Sequence, residues 1–395
     1  MSAIADAETP PPVPAFRLSS FYFAYYAALG AFTPYWALWL KQRGMDVAAI
    51  SVLMSLWYAT RVIAPSTWTT LAARSPQPIR WLRIGCALTL ASFALFLLPM
   101  QFGGLFVGMA LFCFFYNAVM PQFEAITLSH LTGQSERYGR IRVWGSIGFI
   151  VVVAGFGPLL DRFGIGSLPW LMLPIYIGLL ATAGINDYAR PVTEAKEASG
   201  AFWERLRRRE VIAFFAIAFL TQISFGPYYT FFSIYMEGHG YTTSQLGAFW
   251  TIGVVAEIVV FFLAARIFAR WRASTVLLIA LLSAALRWWV TALFPDSVWL
   301  IGFAQLTHAI NFAGFFAAAM YLLALYFPGR MNGHGQGIFY GFSSGIGGVT
   351  GALLAGKLWT IGGGRLAFLV GGGFCIAAAV LVIAFLRPAE ATQRT

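Results

Sequence analysis

Apolar residues in this chain arrive in blocks of roughly twenty, the length a helix needs to cross about 30 Å of hydrocarbon, and short charged or Pro/Gly-rich breaks separate the blocks. Reading block by block places membrane helices near residues 18–40, 47–72, 80–99, 103–130, 140–160 and 167–186. Six more follow near 211–236, 244–268, 274–294, 298–327, 334–358 and 366–386. The longest polar interval, DYARPVTEAKEASGAFWERLRRRE over residues 187–210, separates two sets of six spans. The expected fold is therefore an all-α membrane protein of twelve transmembrane helices in two halves, residues 18–186 and 211–386, joined by a linker at 187–210. The Pro-rich residues 1–17 read as a disordered tail and 387–395 as a second tail. A trace of duplication supports the division. Leu71-Ala72-Ala73-Arg74 ends the second span, and the same four letters, Leu263 to Arg266, end the eighth, its counterpart in the other half. Two similar six-helix halves suit a carrier that rocks around a site at their interface.

Composition agrees. Of 395 residues 59% are hydrophobic and only 10% charged, against about 25% charged in soluble chains. The net charge of +11 does not indicate nucleic acid, because the basic residues sit in short connections rather than on one polar face. Placing the termini and the even-numbered connections on one side gathers 19 of the 26 Lys and Arg there, from Arg17, Arg74, Arg80 and Arg83 through the linker to Arg387 and Arg394, and leaves five on the other: Lys41, Arg43, Arg162, Lys357 and Arg365. By the positive-inside rule both termini are expected in the cytoplasm, with the chain in the inner (plasma) membrane of a bacterium. The first residues lack the pattern of a removable signal peptide. Cys86, Cys113 and Cys375 lie in apolar stretches without C-x-x-C spacing, so neither disulfide nor metal is expected. No cofactor is implied. The expected partners are the lipid bilayer, a small solute and protons, for a chain that works as a monomer.

Two motifs mislead. Gly341-Phe342-Ser343-Ser344-Gly345 matches the G-x-S-x-G nucleophile elbow, which needs a strand-to-helix turn. Here it falls in a membrane helix, where Gly341, Gly345, Gly348, Ala352 and Gly356 form a small-residue stripe that allows close helix contact. A membrane-embedded serine hydrolase using Ser343 with His308 or His334 is the enzyme alternative. The run from Gly351 to Leu358 approaches a phosphate-binding loop but lacks the final Ser/Thr, which leaves Lys357 as a snorkelling side chain.

Ionisable groups at membrane depth are costly and default to functional candidates. Six qualify by position: Arg61, Glu124, Arg142, Glu257, Arg287 and His308. Glu257, alone among apolar neighbours, is the strongest; a carboxyl group away from water is readily held neutral, as proton coupling requires. Its structural alternative is a carboxylate satisfied by Arg287 or by a backbone donor. His308 is the second proton-coupling candidate, and Asn311, three residues on, is expected on the same helix face. Glu124 and Arg142 can pair across adjacent helices, or Arg142 can take a substrate carboxylate in its planar fork. Trp57, Tyr58, Phe115, Tyr228 and Trp250 are candidates for lining a cavity around Arg142 and Arg287.

At these residues a resemblance appears. The run FYFAYYAALGAFTPYWALWL from Phe21 to Leu40 resembles the opening of the lactose permease group. So do Tyr116-Asn117-Ala118, Pro121, Glu124-Ala125 and Tyr138-Gly139-Arg140-Ile141-Arg142, which are similar to that group's fourth-to-fifth-span region. The whole chain resembles more closely the phenylpropionate permease branch of the major facilitator superfamily, in GVVAEI around Glu257, QLTHAINF around His308 and GQGIFYGFSSGIGGVTGALLAG in the eleventh span. The resemblance implies the major facilitator fold, with Glu124 and Arg142 an ion-paired, substrate-contacting couple. Two departures qualify it. Asn311 stands where the lactose permease pattern has its proton-handling Glu, which leaves Glu257 as the proton carrier. Ala73 stands where the superfamily signature has an acidic residue, so its gating contact is not carried over. The resulting expectation is a proton-coupled symporter of a small organic solute such as an aromatic carboxylate, working by alternating access. The alternatives on the same scaffold are a sugar or nucleoside proton symporter and a drug-type exporter.

Overall fold

In lipid every backbone polar group must be satisfied within the protein, so the apolar blocks have helix as their only open-chain solution. The computed structural model describes residues 13–131, 134–188, 200–329 and 331–387, and it is helical with no strand among them. Most of the expected N-terminal tail (1–12), nearly all of the C-terminal tail (388–395) and the middle of the expected linker (189–199) lie outside the described residues.

The first half consists of α1 (Ala15–Gln42), α2 (Val47–Ala73), α3 (Pro78–Ala94), α4 (Phe102–His130), α5 (Tyr138–Phe163) and α6 (Leu168–Gly184). After a short linker helix, Gly200–Leu206, the second half holds α7 (Arg209–Gly238), α8 (Thr243–Arg270), α9 (Ala273–Leu293) and α10 (Val298–Tyr326). The apolar stretch Met331–Leu386 is two helices, α11 (331–361) and α12 (364–386), which part where Gly362 and Gly363 leave helical geometry. Gly363 has φ +69°, a conformation that other residues rarely adopt. Ten stretches are long and apolar enough to cross a membrane; dividing the fused one and adding the 28-residue α1 gives twelve. Tyr22, Tyr25, Tyr35, Trp36 and Trp39 lower the hydropathy of α1, yet all are buried against its neighbours.

Local chemistry fixes the helix starts. Asp46 accepts from the Ala49 amide (2.7 Å) to cap α2, and Thr242 with Gln245 forms a capping box on α8. Pro76 follows Leu71–Arg74 after a single residue, Ser75, and stops α2 there. Leu263–Arg266 meets no breaker, and α8 runs one turn further to Arg270, so the repeated letters do not mark equivalent helix ends. α7 bends at Phe225, with Pro227 opening its second segment, and α10 and α11 contain π-turns at Ile310–Gly314 and Phe339–Ile346.

Helix pairing repeats between the halves. α1 packs on α5, α2 on α4, and α3 on α6; α7 on α11, α8 on α10, and α9 on α12 correspond. The outer surface carries exposed apolar side chains such as Trp170, Phe262 and Trp299, the last 86% exposed, which face lipid.

The halves touch along α2–α11, α5–α8 and α1–α7. At the end away from the termini, Lys41 of α1 pairs with Glu237 of α7 at 2.5 Å. Asp161, at the end of α5, accepts from the amides of Thr243 (2.8 Å) and Ser244 (3.1 Å) and from both hydroxyls at the start of α8. Tyr35 donates to the Val153 carbonyl at 2.7 Å beneath them. On the other seam the small-residue stripe meets α2: a Cβ at Gly356 would stand 2.5 Å from the Ser51 side chain, and one at Gly348 would overlap the Tyr58 ring. These contacts fade toward the terminus-bearing end. From Val254 to Arg270 no described residue of α8 is buried, and Tyr340 of α11 is exposed. The interface is closed at one end and open at the other.

Candidate functional site

At the middle of this interface the second half presents a cluster built from four helices. Arg287 of α9 has no solvent exposure. Its Nη1 lies 2.8 Å from Nδ1 of His308 on α10, and its Nη2 donates to Gln305 Oε1 at 2.7 Å. Its guanidinium sits 4.0 Å above the Tyr228 ring of α7 and 4.7 Å from that of Trp288. The Tyr228 hydroxyl donates to the same Gln305 oxygen at 3.1 Å. A buried charge is tolerated only when matched in this way.

The pairing also fixes a proton. Arginine has no acceptor, so His308 Nδ1 must accept and the ring carries its hydrogen on Nε2. Nε2 faces Glu257 Oε2 of α8 at 3.7 Å. Glu257, with 19% of its side chain exposed, is the accessible end of the chain Arg287–His308–Glu257. His308 therefore stands between Arg287 and Glu257, and the expected alternative of a direct Arg287–Glu257 pairing is not the geometry found.

The first half presents a looser arrangement. Arg142 Nε and Glu124 Oε1 are 3.9 Å apart, with side chains 30% and 28% exposed. The Tyr138 hydroxyl donates to Glu124 Oε2 at 3.0 Å, and the Arg142 guanidinium covers the Tyr26 ring at 4.0 Å.

The remaining candidates divide. Tyr228 and Trp250 are buried in tilted contact (4.5 Å), with Tyr228 lying under Arg287 rather than forming open wall. Trp57 is buried against Phe32 (4.8 Å), and Tyr58 fills the α2–α11 seam. Phe115 is a correction: it packs on Trp68 in a separate lateral cluster, because it lies on the other face of α4 from Tyr116. Asn311 is buried with neither amide atom hydrogen-bonded, and it does not bond to His308. The π-turn at Ile310–Gly314 resets the helix phase, so Phe312, not Asn311, covers the imidazole (5.2 Å). Ser343 is buried with no hydrogen-bond partner, while His308 is committed to Arg287 and His334 packs on Phe202 of the linker helix. Among the described residues these side chains form no triad.

Sequence reasoning missed Gln305, Tyr26 and Asn117. Gln305 holds Arg287 and Tyr228 at once, and Asn117 donates to the Trp57 carbonyl and Thr60 Oγ1, both at 2.9 Å. A polar amide inside an apolar block was the available signal for both amides.

Comparison with known proteins places this geometry. The model of the MFS_1 like family matches residues 15–370. The chain is 27% identical over 305 residues to a probable 3-phenylpropionic acid transporter of Escherichia coli (strain K12), covering 77% of this chain and 80% of that one. It is 25% identical over 385 residues to the maltose permease of Geobacillus stearothermophilus, 94% of each. The crystal structure of the nucleoside transporter NupG superposes with a TM-score of 0.82 at 14% identity, covering 94% of this chain and 98% of that one.

Proposed function

Because the chain belongs to the MFS_1 like family and is a secondary transporter of the major facilitator type, we propose that it takes up a small aromatic carboxylate together with a proton by alternating access. It is a transporter and not an enzyme, as its relatives are. It is an integral membrane protein; its place in a bacterial inner membrane with cytoplasmic termini belongs to the same proposal.

The observation that carries the reading is the chain Arg287–His308–Glu257, which leaves one partly exposed carboxyl group facing the interface. When the halves close around an anionic cargo that has taken up the excess guanidinium charge, an ionised Glu257 must leave water with only a neutral imidazole beside it, which is expensive; the empty carrier keeps that excess positive charge to offset it. Protonation removes that cost and permits closure. When the interface reopens toward the terminus-bearing end, water returns, the proton leaves, and the restored carboxylate repels an anionic cargo. The charge balance favours an anion: Arg61, Arg142 and Arg287 face Glu124 and Glu257, one positive charge in excess when His308 is neutral. A neutral sugar or nucleoside would leave that excess without a counterion. The similarity to a probable 3-phenylpropionic acid transporter supports the aromatic acid.

In proteoliposomes with an alkaline interior, wild type should accumulate labelled 3-phenylpropionate. Glu257→Gln, locked neutral, should lose gradient-driven accumulation while retaining exchange of labelled for unlabelled acid. Accumulation by Glu257→Gln at the wild-type level would overturn the assignment.

A further inference from the structure

Arg61 lies midway along α2 and belongs to neither of the clusters described above. Arg142 stands against Glu124, and Arg287 against His308 and Gln305. Among the described residues Arg61 meets only the Asn117 carbonyl oxygen, 3.5 Å from its Nε, and the rings of Trp57 and Tyr58 at 5.2 and 5.8 Å. No carboxylate among the described residues lies within ion-pair distance of it. A contact of 3.5 Å is at the limit of a hydrogen bond, so at most one of five N–H donors is engaged. A guanidinium left so underused in a membrane interior calls for a partner from the cavity.

The surroundings indicate what that partner is. Arg61 is half-buried, so a solute can reach it. The Trp57 ring beside it packs on Tyr116 of the first half at 5.3 Å, and the Tyr58 ring lies in the seam against Gly348 of α11. Phenol and indole rings thus flank a cation at the seam between the halves. A carboxylate fits the planar fork in two places, and a ring joined to that carboxylate finds aromatic faces beside it.

We infer that Arg61 is the residue that receives the carboxylate of the transported acid, with Trp57 and Tyr58 beside it holding the side chain in place. The assignment rests on the reading that the cargo is an organic anion. It gives the substrate class as a monoanionic aryl acid and leaves Arg142 and Arg287 to hold Glu124 and His308.

The test is isothermal titration of purified wild type, Arg61→Gln and Arg61→Lys with 3-phenylpropionate and, separately, with 3-phenylpropionamide, alongside uptake in proteoliposomes. Arg61→Gln should weaken binding of the acid by about 10- to 100-fold and leave the amide unchanged, which also reports that the variant is folded. Arg61→Lys, which keeps the charge but not the fork, should fall between. Acid binding by Arg61→Gln at wild-type affinity would overturn the inference even if proton-driven uptake stands. Acid binding that depends on Arg61 in a protein whose uptake ignores the proton gradient would sustain the inference and sink the coupling. Failure of wild type to bind the acid at all would remove both.

Discussion

Arg287 is enclosed, and two of its three nitrogens are matched by single atoms, His308 Nδ1 and Gln305 Oε1. The Gln305 oxygen serves Tyr228 as well, so Gln305→Leu strips a buried cation and a buried hydroxyl of one shared acceptor. Leaving such groups unpaired costs about 3 kcal/mol, and thermal unfolding in detergent should show a clear fall in Tm. Ser343→Ala removes a buried hydroxyl that has no partner, and its Tm should be unchanged within error. Residues of this kind differ in how visible they are in sequence. Glu257, Arg287 and His308 stand out because a charge or imidazole in an apolar block has few bland explanations. Gln305 and Tyr26 do not, since amides and phenols also fill cores; only the fold shows that Gln305 points at Arg287 and that Tyr26 lies under Arg142. Asn311 shows the opposite error. Three-residue spacing implies a shared face only in a regular helix, and the π-turn that begins at Ile310 breaks the premise.

At the scale of elements, the twelve spans follow from block length alone, with ends within a few residues of those found. Most breaks inside spans do not announce themselves. The π-turns of α10 and α11 occur in helices without proline, the parting of α11 and α12 at Gly363 is a backbone conformation rather than a polar loop, and only the bend at Phe225 has a local mark, the Gly226–Pro227 pair. The contact of α5 with α8 is also a tertiary fact. Asp161 closes that seam by accepting from two amides and two hydroxyls at the start of α8, where the helix dipole favours a negative charge. Asp161→Asn gives up charge-assisted bonds worth about 1–2 kcal/mol. Spin labels at Arg162→Cys and Gly238→Cys should then report a larger population of long distances than in the Asp161 parent. An unchanged distance distribution would mean that Lys41–Glu237 and the Tyr35 contact hold the seam without Asp161.

For the whole molecule, the two halves are readable from the linker and the recurring block pattern, whereas the direction in which the interface opens is not, because both ends of every span are similarly apolar. The charge balance at the interface has a consequence for energetics. Binding one proton at Glu257 and one monoanion leaves the net charge of the cavity as it was, so the loaded and empty carriers cross with equal charge. The membrane potential, worth about 2.3 kcal/mol per charge per 100 mV to an uncompensated proton, should not drive uptake; a potassium diffusion potential imposed without a pH difference should leave it unchanged. The coupling itself is read most directly by following protons. Adding 3-phenylpropionate to proteoliposomes loaded with a pH-sensitive dye should acidify the interior by about one proton per acid taken up, beyond the signal of protein-free liposomes, and Glu257→Gln should abolish that protein-dependent change. Uptake by wild type with no accompanying proton movement would contradict proton-coupled symport.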